Sequence, residues 1–418
     1  MMNTLMLAHP TTLYIDPGTG SMLFTLVIGI VSASYFFVRK LFIRLKFLLA
    51  GGAGKVGGDR LRLVIFSDDK RYWNVFEPIC DELERRGIRA AYWTASPNDP
   101  ALERGYEHVT CEFIGEGNRA YARLNTMSAD VCLATTPGLE VYQWKRSKDV
   151  DWYVHVKHSV DSNAGYRMFG LDFYDAVLVS GAFLGDEMRE IEQLRGLAPK
   201  ELEIVGCTYL DAMLERRKRL DLPEREGRTV LLAPSWGDSA ILSVYGERML
   251  EALLSTDYHV IVRPHPQTVS SEADMLDALM TRYPASDRIE WNFDNDNFDV
   301  LGRSDVMVTD FSGVVYDFTL IFDRPVIYAE GQFDPSVYDA AWLDHPLRKF
   351  DHYAMMGRPL RADMLDNMQQ VLDGVMEDQE LAEGRRQVSE EVWWHKGECA
   401  ERIVDYLTMA RERVLAAK

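Results

Sequence analysis

The chain has 418 residues, a net charge of −19 and an ordinary apolar share, so it has room for two domains of usual size plus an appendage. The composition excludes disorder, and the acidic balance excludes non-specific nucleic-acid binding. The cysteines at 80, 111, 132, 207 and 399 form no CxxC pair, which excludes the common zinc and dithiol motifs and fits reduced thiols in a cytoplasm.

Residues 1–50 read as a membrane anchor. Pro17 to Val38 carries no charge and is long enough to span a bilayer as a helix. Arg39, Lys40, Arg44 and Lys46 follow at once, whereas only Asp16 precedes. The positive-inside rule therefore puts the N-terminus outside and the body in the cytoplasm, as a single-pass protein of the cell membrane. A secretory signal would carry its positive charge before the apolar run. The basic collar suits anionic headgroups. Gly51 to Gly58 is a glycine-rich linker. It is not a Walker loop, because Leu49 stands where the first glycine is needed and Val56 where Ser or Thr would hold magnesium.

From residue 59 apolar runs alternate with helical patterns. Strands are expected at Arg62–Ser67, Ile88–Thr94, Val109–Ile114, Val131–Thr135, Trp152–Val156 and Ala176–Ser180, with helices at Trp73–Arg86 and Phe183–Leu194. The charged stretch Leu214–Arg228 reads as a domain joint. Strands then resume at Thr229–Ala233, His259–Val262, Arg288–Trp291, Val306–Thr309 and Val326–Tyr328. The boundaries are an acceptor-side domain over 59–222, a donor-binding domain over 223–385 and a C-terminal helical segment over 386–418, its helix running from about Glu390 to Ala416 and returning to the first domain. The expected class is α/β and GT-B-like: two doubly wound parallel-sheet domains preceded by one transmembrane helix.

Two motifs open directly after buried-strand patterns in the second domain. Arg263-Pro264-His265-Pro266 follows one, and Thr309-Asp310-Phe311-Ser312-Gly313 ends the other and runs into a helix. Open α/β sheets bind ligands at the carboxyl ends of their strands. A helix starting near Ser312 and Gly313 would offer free N–H groups and a positive dipole end to a phosphate. Arg263 adds a bidentate donor and His265 a donor or proton carrier. The set therefore points to pyrophosphate recognition. Asp310 would repel a phosphate, so it is expected to orient a donor or hold a hydroxyl, with Thr309 beside it in donor orientation; Asp and Ser also cap helices. Asp294-Asn295-Asp296 resembles an Asp-x-Asp metal motif but sits where a strand ends and a helix begins, so capping is expected and no metal is. In the first domain, His158 follows a strand and enters a turn, with Asp161 three residues on to orient it if a helix starts there. His155 is out of phase with Val154 and Val156 and reads as a core histidine.

These segments resemble the C-terminal half of the CDP-glycerol glycerophosphotransferases, the teichoic-acid polymerase and primase family, from about Arg228 onward. That family has an Arg-Pro-His-Pro turn, a Thr-Asp-Tyr-Ser-Ser segment and an Arg/Lys-Pro-hydrophobic strand, matched here by 263–266, 309–313 and Arg324-Pro325-Val326. Ala233-Pro234-Ser235-Trp236 is similar to its Ala-Pro-Thr-Trp turn, and Gly397 to Val404 to its closing helix; His395-Lys396 stand where the family has an acid before that helix. Its Trp-His-Gly segment has its best counterpart in Lys157-His158-Ser159. The resemblance implies transfer of glycerol phosphate, or a related alditol phosphate, from a CDP-alditol donor to a lipid-linked or membrane glycan acceptor. No cofactor or obligatory metal is expected. It implies His158 as the base and His265 as the group stabilising charge on departing CMP. A nucleotide-sugar glycosyltransferase and a non-catalytic tethered nucleotide-binding protein are the alternatives.

Overall fold

The structure is a computed structural model that describes Ser34 and residues 60–220, 227–294, 296–329 and 333–418. The expected membrane span and the glycine-rich linker lie outside the described residues. Among the described residues no helix is long and apolar enough to cross a membrane.

The first lobe is built on seven parallel strands: β1 (Leu61–Ser67), β2 (Ala90–Thr94), β3 (Val109–Phe113), β4 (Ser128–Ala134), β5 (Asp149–Val156), β6 (Ala176–Val179) and β7 (Glu201–Ile204), ordered β3-β2-β1-β4-β5-β6-β7. The second has six: β8 (Thr229–Ala233), β9 (His259–Val262), β10 (Ile289–Trp291), β11 (Val306–Thr309), β12 (Val326–Ala329) and β13 (Gly357–Leu360), ordered β10-β9-β8-β11-β12-β13. Each order reverses direction once, between β1 and β4 and between β8 and β11. That reversal opens a crevice at the strand ends.

The central strands are buried on both faces, which is why they read as unbroken apolar runs. Leu63 and Ile65 pack with Phe76 and Ile79 of the helix Trp73–Arg85, while Val64 and Phe66 face Trp144 and Tyr153 on the other side. The second lobe repeats this, with Val230 and Leu232 in one cluster and Leu231 and Ala233 in the other.

Two edge strands escaped the sequence reading. β7 is Glu-Leu-Glu-Ile and β13 is Gly-Arg-Pro-Leu. Each is flanked by one neighbour only, so neither needs an apolar run, and a proline is tolerated at an edge. The first part of the expected joint is helical. Leu214 to Arg219 belongs to the helix Thr208–Arg219, which packs against both the Trp73–Arg85 and Val314–Phe322 helices. The last helix is Cys399–Ala416, since the preceding helix ends at Val392. It does return to the first lobe, placing Ile403, Val404, Tyr406, Leu407 and Ala410 in the core around β1, β4 and β5. The return passes very close to Gly206: a Cβ there would stand 2.3 Å from both the Trp394 carbonyl oxygen and Cys399 Sγ, and its φ is +85°.

Candidate active site

At the second lobe's crevice, the turns after β8 and β11 are bound together. Asp310, 1 % exposed, accepts hydrogen bonds from the Ser235 amide at 3.0 Å, the Ser235 hydroxyl at 2.6 Å and the Ile241 amide at 2.9 Å. Thr309 Oγ1 donates to the Ala233 carbonyl at 2.6 Å. Burial pushes the Asp310 carboxyl up, against the pull of those donors. Both side chains are thus spent inside the protein. They fix the turn that carries Ser235 and Trp236, and Asp310 does so by holding a hydroxyl.

Beside this knot the helix Val314–Phe322 begins, capped by Gly313 without a side-chain bond. Among the described residues nothing engages the amides of Ser312, Gly313 and Val314 or the Ser312 hydroxyl. The Ser312 carbonyl accepts from the Tyr353 hydroxyl at 2.7 Å, which holds the helix start in place. His265 forms the N-cap of the short helix Pro266–Ser271, its Nδ1 accepting from the Gln267 amide at 3.0 Å. An Nδ1 that accepts must leave the proton on Nε2, so His265 is a fixed Nε2–H donor. Trp236 stands beside it, ring centroids 6.5 Å apart.

Arg263 departs from expectation. Its guanidinium holds the Asn292 side-chain oxygen and the Asp294 carbonyl, so it braces the turn after β10. In the Asp-x-Asp look-alike, Asp296 caps the Phe298 amide at 3.1 Å and pairs with Arg216, while Asp294 accepts from Asn292; Asn295 lies outside the described residues.

The first lobe presents His158 just after β5. Its Nδ1 lies 3.0 Å from the Thr135 hydroxyl and 3.4 Å from the Tyr166 hydroxyl, and the ring stands 5.0 Å from that of Tyr72. Its pKa is pushed down to about 3, first by burial, then by the charges of Lys157 and Arg71. The ring is therefore neutral at physiological pH, and far less basic than the near-neutral value a general base favours. Asp161 does not orient it. Asp161 lies in a bend ahead of the short 3-10 turn Asn163–Gly165, and its carboxylate accepts from the Ser162 amide at 2.7 Å and faces Lys349 at 3.6 Å. Thr135 is the group that orients His158. His155 is fully buried against Tyr166 and Tyr174, a core residue as expected.

Arg71 was not singled out from the sequence. Its charge lowers His265 as well as His158, after partial burial in the first case, so one cation of the first lobe reaches a histidine of each lobe. Next to it, a cavity of about 290 Å³ at the ends of β1 and β2 is lined by Asp68, Asp69, Ser96, Glu116 and Tyr121. Asp68 accepts from the Thr136 hydroxyl at 2.8 Å and is pushed up by burial.

Fold and site together define a two-lobed, GT-B-like α/β protein with an anion-ready helix start on one lobe and a neutral histidine on the other. Residues 207–409 match the family CDP-Glycerol:Poly(glycerophosphate) glycerophosphotransferase, so over that stretch the chain is similar to a glycerophosphotransferase. The fold is shared with the wall teichoic acid polymerase TagF, solved after a soak with CDPG, at 15 % identity and TM-score 0.56, covering 91 % of this chain and 98 % of that one. It is also shared with the UDP-GlcNAc 2-epimerase of Methanocaldococcus jannaschii in complex with UDP-GlcNAc and UDP, at 14 % identity and TM-score 0.54, covering 84 % and 100 %. S. aureus MnaA, solved with UDP, gives 12 % identity and TM-score 0.54, covering 84 % and 96 %. No curated protein matches the chain.

Proposed function

We propose that this enzyme transfers glycerol phosphate, or a related alditol phosphate, from a CDP-activated donor to a hydroxyl of a membrane-linked glycan or polymer. The observation that carries this reading is the helix start at Ser312–Gly313 with its unengaged amides, in the lobe that also carries the fixed Nε2–H donor of His265. Such an array suits the donor's diphosphate. The acceptor oxygen attacks the β-phosphorus, the bond from that phosphorus to the CMP oxygen breaks, and CMP leaves with the charge His265 stabilises. The acceptor proton goes to His158 Nε2. This requires the tautomer in which Nδ1–H donates to the Thr135 hydroxyl. The donor's negative charge raises the basicity of His158 by offsetting Arg71 and Lys157. The chain's own side chains supply the positioning and electrostatics that phosphoryl transfer relies on.

Residues 17–46 anchor the body to the membrane in this reading, keeping it near an acceptor that stays there. Tags at the two ends should differ in accessibility, the N-terminal one reachable from outside. Full-length protein that partitions without detergent into the soluble fraction rules the anchor out. For the chemistry, membranes carrying the protein are incubated with labelled CDP-glycerol. Release of CMP with label entering a membrane-bound product supports the assignment. Release from a UDP-sugar instead, with CDP-glycerol inert, overturns it.

A further inference from the structure

At the start of the helix Val314–Phe322 a side chain from the other lobe intrudes. Asp161 Oδ2 lies 3.4 Å from the position a Cβ on Gly313 would take, and 3.6 Å from Lys349 Nζ. Lys349 is only 5 % exposed. Its ammonium is 3.3 Å from the Phe311 carbonyl and stands over the rings of Phe333 and Phe350 at 5.3 and 5.6 Å. Lys157, 4 % exposed, donates to the Ser162 carbonyl at 3.0 Å and feels the charges of Asp161, Glu187 and Lys349. Glu187 is itself taken up by the Ser162 hydroxyl and the Ala164 amide.

A buried ammonium needs a compensating partner. The carboxylate that serves Lys349 is contributed across the cleft, from a bend and not from a helix or strand, at a separation beyond hydrogen-bond length. Its other oxygen has a partner of its own in the Ser162 amide, so the side chain can leave Lys349 without losing every contact. The same positive charges that hold Asp161 also suit a phosphate: a lysine and the amino end of a helix.

We propose that Lys349 is a ligand of the donor's diphosphate, and that Asp161 is a place-holding carboxylate which the phosphate displaces from Lys349 and from the start of the Val314–Phe322 helix. The two lobes are then joined through Asp161 before the donor arrives and through the donor afterwards. This inference rests on the diphosphate reading above and adds to it a cation and a competitor.

Calorimetric titration of CDP-glycerol into the full-length protein and three variants separates the two. Asp161→Asn keeps the shape and removes the charge; it should bind several-fold more tightly. Lys349→Met should bind about tenfold or more weakly, and His265→Ala weakly as well. Opposite signs at Asp161 and Lys349 are the signature, since a purely structural ion pair lowers stability in both variants and moves donor affinity in neither. If only His265→Ala loses affinity, the diphosphate reading stands and the Lys349 assignment falls. If Asp161→Asn binds more weakly, Asp161 helps hold the donor and the place-holding role is wrong. If wild type itself does not bind CDP-glycerol, both fall. Should Lys349→Met fail to fold, Lys349→Arg retains the charge and should bind, and the Asp161 arm still decides.

Discussion

The two lobes share one strand order, and each ties its crevice with an aspartate and a hydroxyl, but from opposite sides. In the first lobe the aspartate follows β1 and the hydroxyl follows β4, as Asp68 and Thr136. In the second the aspartate follows β11 and the hydroxyl follows β8, as Asp310 and Ser235. Asp310 also takes two backbone amides, so the second crevice is closed by its own bonds and the anion seat opens beside it. Asp68 has one hydroxyl partner and lines an open, acid-walled cavity. One fold position thus supports two electrostatic characters. The amide-rich edge suits a phosphate donor, and the carboxylate-rich edge suits neutral hydroxyls and repels phosphate.

The largest expected effect tests whether the first lobe supplies chemistry. His158→Ala should lower turnover by about two to four orders of magnitude while donor affinity holds, read by CMP release and calorimetry. Wild-type kcat/KM should stay level when the pH falls from 7 to about 5, because in the free enzyme His158 stays neutral far below the ordinary histidine range. Normal turnover with a lower melting temperature would make His158 a packing residue.

Next is the second lobe's part. His265→Ala should weaken CDP-glycerol binding by about 1.5–3 kcal/mol, the worth of a hydrogen bond to a charged group, with thermal stability little changed. Unaltered affinity removes His265 from the diphosphate.

The tied aspartates give a smaller, two-sided test. Asp310→Asn turns an acceptor of three hydrogen bonds into a group that must face Ser235 partly with its own N–H, and should cost about 1–3 kcal/mol of stability. Asp68→Asn should cost less. Both carboxyls are raised in the folded state, so the native protein keeps these protons longer than the unfolded chain. Their contribution to stability therefore falls as pH rises from the ordinary carboxylate range through the raised values. Asp68→Asn should accordingly look more favourable, relative to wild type, at pH 8 than at pH 4. Equal costs at both positions, by chemical denaturation, would erase the distinction between the crevices.

The smallest effect joins the lobes. Arg71→Ala should raise the pKa of both His158 and His265, one in each lobe, as followed by NMR titration. A shift in only one ring would mean that Arg71 is not shared.

The sequence revealed the central strands because burial on both faces leaves no room for polar alternation, and the edge strands β7 and β13 stayed hidden for the opposite reason. The turns holding His265 and Ser312 were legible because each follows a buried strand directly. Roles that depend on distant partners were not. Asp310 finds its donors 75 and 69 residues away. Lys349 follows Arg348 and looks like one of two solvated surface charges until folding buries it. Asp161 was expected to turn inward toward His158, three residues back; its partner is in the other lobe.

The close passage at Gly206 has a mechanical meaning. The backbone leaves the first lobe after Arg219 and comes home after Val392, so the lobes are strung on two cords instead of one. The second cord is clamped where it lands, because even a methyl group at Gly206 would collide with it. Two fixed cords leave a pair of bodies one easy direction of travel, about the line joining the cords. The crevice can open and shut along that line, while sliding or twisting would strain the clamp. The final eighteen-residue helix is therefore a fastening of the first lobe. Cutting it away should loosen the lobe farthest from it in the sequence.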